Sequence, residues 1–384
     1  MSVTFAKGFQ AAGVAAGLKA SGNPDVALVV NTGPSSVAAG VFTANRIKAA
    51  PVLWTQQCMS GGSFRAVVLN SGGANACTGP QGFADTHHTA ELVADLLQIG
   101  AIDVAVCSTG LIGKRLDMDK LSGGVLNAFG LLSIDGGQAA ANAIMTTDSV
   151  AKTAQFEHGS GWRIGGMAKG AGMLAPGLAT MLVVITTDAQ ITKEFADAAL
   201  QVATELSFNR IDSDGCMSTN DTVLLLASGQ SQYTPTEDEF TAALTEVCQD
   251  LARQLIADAE GSTKDIKIVV TGAQTQGEAV EVARSVARSN LLKCAIHGED
   301  PNWGRVLAAL GTTSAAFEPD EIDVDFNAVA VCRKGAALAE EPVVDLSDRL
   351  VEILINLHAG AETATLWTND LTALYVHENS AYST

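Results

Sequence analysis

Within Gly165–Ala189 (GGMAKGAGMLAPGLATMLVVITTDA), a glycine-rich approach containing one proline delivers Thr180 to the first position of an apolar strand. On residue type alone, Thr180 is a β-branched strand residue and Lys169 an exposed loop lysine. A sharper chemistry is also open to the segment. A threonine hydroxyl is a weak nucleophile unless a base sits beside it. Breaking the peptide bond before Thr180 would create an α-amine, whose unperturbed pKa is about 7.7–8.0. Base and hydroxyl would then share one residue, and a strand-edge position would hold both rigid.

Other residues could serve the same chemistry. Thr109–Gly110 follows the apolar run DVAVC and reads on type alone as a strand-end turn. Lys169 can pair with a substrate carboxylate, Thr146 in AIMTTD can donate from its hydroxyl, and Glu260 before Gly261 offers a negative charge to an amine. On type alone each is a solvated surface residue, and the chain end bearing Asn379 and Thr384 would be frayed.

The elements that must position these residues alternate. VALVVN (26–31), AVVLN (66–70), DVAVCSTG (103–110), MLVVITTDA (181–189), VLLLASG (223–229) and IKIVV (266–270) read as buried strands. Amphipathic helices are expected over about 83–98, with Leu92, Val93, Leu96 and Leu97 at helical spacing, and over about 192–206, with Phe195, Ala199, Leu200, Val202 and Leu206 available for one face. Thr236 and Glu239 form a capping box for a long helix carrying Phe240, Leu244, Val247, Leu251 and Leu255. A helix near 277–288 and short strands near 322–332, 349–356 and 362–367 complete the chain. The interleaving predicts an α/β layered fold; strand order stays open.

With 384 residues, 47% hydrophobic and 17% charged, the chain is globular, large enough for one big domain or two intimate lobes. Its net charge of −19 disfavours nucleic acid and anionic membranes as partners. Seven scattered cysteines without a CxxC pair favour reduced thiols in a cytoplasmic protein, and neither a signal peptide nor a membrane-spanning run is evident. No P-loop, HExxH or GxSxG occurs, the adjacent His87–His88 pair points to different helix faces, and no metal is expected.

KGAGMLAPGLATML closely resembles the autocleavage segment of the ornithine acetyltransferase family, called ArgJ proteins in bacteria. The resemblance continues through VFTANRIKAAPV (41–52), NSGGANACTG (70–79), CSTGLIG (107–113), AIMTTD (143–148), SFNRIDSDGCMSTNDT (207–222), DAEGSTK (258–264), DPNWGR (300–305) and YVHENSAYST (375–384), nearly the whole chain in order. The sequence departs from the family at Gly177, where Asn or Ser is expected, and locally in DSDGCMST and YVHEN.

The resemblance implies a cut between Ala179 and Thr180, giving an α-chain of residues 1–179 and a β-chain of residues 180–384. It implies that Thr180 is the nucleophile, that Thr109 and Gly110 form the oxyanion hole, and that Thr146, Lys169, Glu260, Asn379 and the terminal Thr384 line the substrate site. Thr146 is preferred over Thr147 on motif alignment. The implied reaction moves an acetyl group from N-acetylornithine to glutamate in the cyclic route of arginine biosynthesis. No metal or tightly bound cofactor is called for, although some members also use acetyl-CoA as co-substrate. An α2β2 assembly and the family's two-lobed α/β fold are likewise implied. Two rivals remain: a self-processing amidohydrolase or aminopeptidase that passes the acyl group to water, and a non-catalytic amino-acid-binding protein on the same scaffold.

Overall fold

A computed structural model describes residues 2–175 and 181–381. Among them, fifteen strands form three sheets. The first contains β1 (Phe9–Val14), β2 (Val26–Asn31), β4 (Ala66–Asn70) and β5 (Val104–Ser108) in that order, antiparallel except for the parallel β4–β5 pair. The second runs β3 (Val37–Phe42), β9 (Thr222–Ala227), β8 (Leu182–Thr187), β7 (Arg163–Lys169), β6 (Lys152–Glu157), with only β8–β9 parallel. Strands from both sides of Thr180 therefore share one sheet, and Lys169 pairs directly with Leu182.

These two sheets face each other. Phe9, Val29, Val67 and Leu69 of the first interdigitate with Met167, Leu182, Val184 and Leu224 of the second. Outside the first sheet pack α2 (Gly79–Leu97) and α3 (Met118–Gly130), through Ala90, Val93, Leu121 and Val125. Outside the second pack α5 (Lys193–Glu205) and α6 (Glu237–Ala257), through Ala199, Leu200, Leu244 and Leu251. The result is a four-layer α/β/β/α sandwich, with α1 (Ala50–Cys58) and α4 (Gly137–Ala143) at its edges. Coverage on both faces explains why β2, β4, β5, β8 and β9 are buried at essentially every position and read as unbroken apolar runs.

The third sheet forms a second lobe, ordered β13 (Ala336–Ala337), β12 (Val329–Arg333), β11 (Asp323–Phe326), β14 (Leu350–Asn356), β10 (Asp265–Ala273), β15 (Glu362–Asn369). Helices α7 (Gln276–Ala287), α8 (Asn290–His297) and α9 (Trp303–Leu310) pack its core. Burial alternates along β10 and β14, the signature of a sheet covered on one face. Helix α10 (Ala373–Ala381) ends the described chain.

Several expectations are revised. The strand expected near 322–332 is a hairpin of β11 and β12, turning through Asn327 and Ala328, both at positive φ. Helix α5 buries Ala196, Ala199, Leu200 and Ala203, so Val202 and Leu206 lie on its outer side. Lys169, an exposed loop residue by type, is instead buried at the end of β7. The Thr236–Glu239 capping box is present, and a second, Thr275–Glu278, starts α7.

Candidate active site

A cavity of about 640 Å3 opens between the sandwich and the segments that bridge to the second lobe. Thr109, Gly110, Thr146, Lys169, Glu260 and Asn379 all line it, and Thr147 does so beside Thr146. Thr180, Ala179 and Thr384, the remaining residues marked in the sequence, lie outside the described residues, as does Gly177.

Thr109 and Gly110 lie just beyond β5. The Thr109 N–H donates to the Asn70 carbonyl at 3.0 Å, which leaves the Thr109 hydroxyl and the Gly110 N–H as local donors. Gly110 has φ of 127°, and a Cβ there would sit 2.9 Å from the Gly73 backbone, so no larger residue fits this approach. Asn220 fixes the pairing of the two loops: its Nδ2 donates to Ala74 O at 2.6 Å and to Ser108 O at 2.8 Å.

Lys169 reaches the same place from β7, its ammonium donating to Thr109 Oγ1 at 3.3 Å. A hydroxyl that accepts from a cation has its proton free for another acceptor. Burial pulls the Lys169 pKa down, while Asp148 beside it favours the charged form. Asp148 is the organising carboxylate beneath the cavity floor. It accepts from Lys152 Nζ at 2.5 Å, from the Gly170 N–H at 2.7 Å and from the Thr146 N–H at 2.9 Å. Burial alone would raise its pKa, but Lys169 and Lys152 overcome that and hold it at about 2. Lys152 also bonds Asp258, just past the end of α6.

Glu260 follows two residues later. Its N–H donates to Ala171 O at 2.9 Å, and its carboxylate lies so close to Gly172 that a Cβ there would meet it at 2.7 Å. Asn379 Nδ2 donates to Glu260 Oε2 at 2.9 Å, tying α10 to the cavity. That docking needs Gly261, which has φ of 63° and lies against the Tyr375 backbone with no room for a Cβ.

Both described ends of the Thr180 segment are pinned. Met173 N–H donates to Asp214 Oδ2 at 2.6 Å, and Met181 N–H donates to Asp221 Oδ1 at 3.0 Å. Asp221 is fully buried and its pKa is pushed well up, chiefly by burial. Among the described residues its Oδ2 has no hydrogen-bond partner, and the Thr43 hydroxyl donates to Ser218 O at 2.7 Å.

Reasoning from the sequence did not single out Asp148, Lys152, Asp214, Asn220 or Asp221. Asp148, Asp214, Asn220 and Asp221 stand inside the quoted AIMTTD and SFNRIDSDGCMSTNDT segments, so the signal was present as a motif but not as an assigned role. Lys152 carried no signal, because its partners Asp148 and Asp258 are brought together only by folding.

The arrangement places a lysine and a carboxylate, Lys169 and Glu260, in the wall of one cavity beside a pair of hydrogen-bond donors. It suits a small molecule carrying both charges, next to a carbonyl that becomes an oxyanion. Among the described residues, no helix is long and apolar enough to cross a membrane, and no group of three His, Cys, Asp or Glu residues is placed to hold a metal.

Comparison with known proteins agrees along the whole chain. The family model described as "ArgJ family" matches residues 10–384. A protein of Streptomyces avermitilis named arginine biosynthesis bifunctional protein ArgJ is 64% identical, with all of both chains covered, and one of the same name from Streptomyces coelicolor is 65% identical, again over all of both. Among solved structures, an ornithine acetyltransferase from Mycobacterium tuberculosis, crystallised with ornithine, shares 60% identity over 47% of this chain and 96% of its own, at a TM-score of 0.45. The chain is a member of the ArgJ family.

Proposed function

We propose that this chain is an acetyltransferase of arginine biosynthesis that moves the acetyl group of N2-acetyl-L-ornithine to L-glutamate, with Thr180 as nucleophile. The observation that carries the reading is the convergence of Thr109, Gly110, Thr146, Lys169, Glu260 and Asn379 on one cavity, in a chain that is 64% identical over its full length to a protein named as an arginine biosynthesis bifunctional protein.

The mechanism begins with self-cleavage between Ala179 and Thr180, which yields chains 1–179 and 180–384. The freed α-amine takes the Thr180 hydroxyl proton as the oxygen attacks the acetyl carbonyl of the donor. The tetrahedral oxyanion is met by the Gly110 N–H and by the Thr109 hydroxyl, whose oxygen already accepts from Lys169. Collapse breaks the carbon–nitrogen bond, the α-amine returns its proton to the departing ornithine nitrogen, and the acetyl group rests on Thr180. Glutamate reverses these steps, its neutral amine attacking the ester and losing a proton to the α-amine. Lys169 is the partner for a substrate carboxylate and Glu260 for the ornithine side-chain amine, with Asn379 holding Glu260 in place. By the family resemblance, Thr384 also belongs to the substrate-binding set.

Acetyl-CoA as a second donor would accord with the word bifunctional in the relatives' names. The proposal also covers a cytoplasmic α2β2 particle. The test is transfer of isotope-labelled acetyl from N-acetylornithine to glutamate, followed with and without acetyl-CoA. Labelled N-acetylglutamate supports transfer. Labelled free acetate formed at the same rate whether or not glutamate is present would assign the chain to the hydrolases instead.

A further inference from the structure

A second cavity, of about 480 Å3, lies away from the acetyl-transfer site along one face of α7. Three guanidiniums line it: Arg284 and Arg288, one helical turn apart, and Arg210 from the turn Phe208–Arg210 that follows α5. In a chain of net charge −19, such a cluster runs against the overall field.

The three are not equally satisfied. Arg210 donates to Glu205 through its Nε, to the carbonyl at 2.9 Å, and through Nη2, to Oε1 at 3.2 Å. Arg288 Nε donates to Asp212 Oδ2 at 2.7 Å. Among the described residues Arg284 makes one hydrogen bond, from Nη2 to Asn209 O at 3.2 Å, and its buried Nε has no partner. Among the described residues it has no carboxylate within ion-pair distance. The two acids in the lining are occupied: Glu205 by Arg210, and Glu281 by the N–H and hydroxyl of Ser314 at 2.7–3.0 Å. Burial pulls the pKa of Arg284 down, with Arg288 and Arg210 repelling it and the carboxylates of Asp212 and Glu205 pulling the other way; a guanidinium fork is matched by a multiply charged oxyanion.

The cavity also has a mechanical line to the active site. Asp212, the partner of Arg288, is almost wholly buried and caps Gly215 N–H at 3.0 Å. The same loop carries Asp214, which holds the Met173 N–H, and Cys216; both line the acetyl-transfer cavity. An anion that drew Arg288 away would leave the buried Asp212 carboxylate with the Gly215 N–H and without its ion pair, and the loop would have to adjust.

We propose that the arginine cavity is a second binding site, for a small phosphate monoester, read at the acetyl-transfer cavity through the Arg288–Asp212 pair. The phosphoryl group sits on Arg284 and draws in Arg288, and the remaining volume, larger than inorganic phosphate needs, holds the organic part.

The experiment melts the full chain in chloride, inorganic phosphate or glycerol 3-phosphate at equal ionic strength, as wild type and as Arg284→Gln. Arg163→Gln, which removes a half-buried arginine that pairs with Glu157 and lies over Phe5 elsewhere, serves as control. The site predicts a rise in melting temperature with both phosphates, larger for the ester, retained in Arg163→Gln and lost in Arg284→Gln. Any residual rise in Arg284→Gln should need at least about tenfold more phosphate, as expected when a charge-assisted pair is removed. A cooperative melt of Arg284→Gln in chloride shows that it folds. Equal shifts in wild type and Arg284→Gln, or none with either phosphate, would overturn the site. Acetyl transfer is then followed against glycerol 3-phosphate: a changed KM or kcat in wild type but not in Arg284→Gln supports the coupling, and a saturated site with flat kinetics overturns it. The coupling rests on the proposed transfer reaction, but the melt requires no catalysis, so the two can fail separately.

Discussion

Asp148 joins the stability of the protein to the shape of its active site, and its removal has a calculable signature. In the fold its carboxylate receives Lys152 and the N–H groups of Gly170 and Thr146, with Lys169 nearby, which holds its pKa at about 2 against an ordinary value of 3.8. A group whose pKa is lower folded than unfolded adds stability above its unfolded pKa and loses it as pH falls through the folded one. A difference of roughly 1.8 units at about 1.36 kcal/mol each gives on the order of 2.5 kcal/mol, present from about pH 5 upward and lost between about pH 4 and 2. Asp148→Asn should cost about 3 kcal/mol or somewhat more at pH 7, toward the low end for breaking a buried pair because Asp258 still holds Lys152. Urea titrations of wild type and Asp148→Asn at several pH values measure this directly. The gap between them should be flat from pH 7 to 5 and should narrow as pH falls below 4. A gap that keeps its size down to the lowest pH at which both fold would refute the assigned charge state.

Three further substitutions probe the site. Gly110→Ala forces a Cβ onto the Gly73 backbone at a φ that alanine avoids, and should lower kcat by about 10²–10³ with a smaller effect on KM; steady-state kinetics would show otherwise if KM alone moved. Gly261→Ala should release α10, seen as faster proteolytic trimming of the C-terminus together with reduced activity, whereas an unchanged digestion pattern would contradict the docking described. Asn379→Ala removes the hydrogen bond to Glu260 and should raise the KM for N-acetylornithine about tenfold while leaving the KM for glutamate nearly unchanged; an equal effect on both would sink the role given to Glu260.

The sandwich core was legible in the sequence because strands buried on both faces, such as VALVVN and AVVLN, announce themselves as apolar runs bounded by polar turns. Strands β1, β3, β6 and β7 were not, since FQAAGV, VAAGVF and RIGGMAK are rich in alanine and glycine and KTAQFE lies at a sheet edge, leaving little periodic signal. The hairpin of β11 and β12 was read as one strand because its turn residues, Asn327 and Ala328, include an alanine at a φ it rarely adopts. Lys169 shows the limit for the site: by type a surface residue, it is buried because β7 carries it inward to face Thr109 and Asp148. The Asp148–Lys152–Asp258 cluster joins positions more than a hundred residues apart, a contact that no local pattern encodes.

Thr180, freed by self-cleavage, is the residue proposed to carry the acetyl group. Intact-mass measurement of the purified protein, before and after brief mixing with N-acetylornithine in the absence of glutamate, tests it most directly. The account predicts two polypeptides matching residues 1–179 and 180–384, with one acetyl group added to the second only, and neither cleavage nor adduct in Thr180→Ala. A single uncut chain of 39.5 kDa that still transfers acetyl, or an adduct on the first fragment, would contradict it.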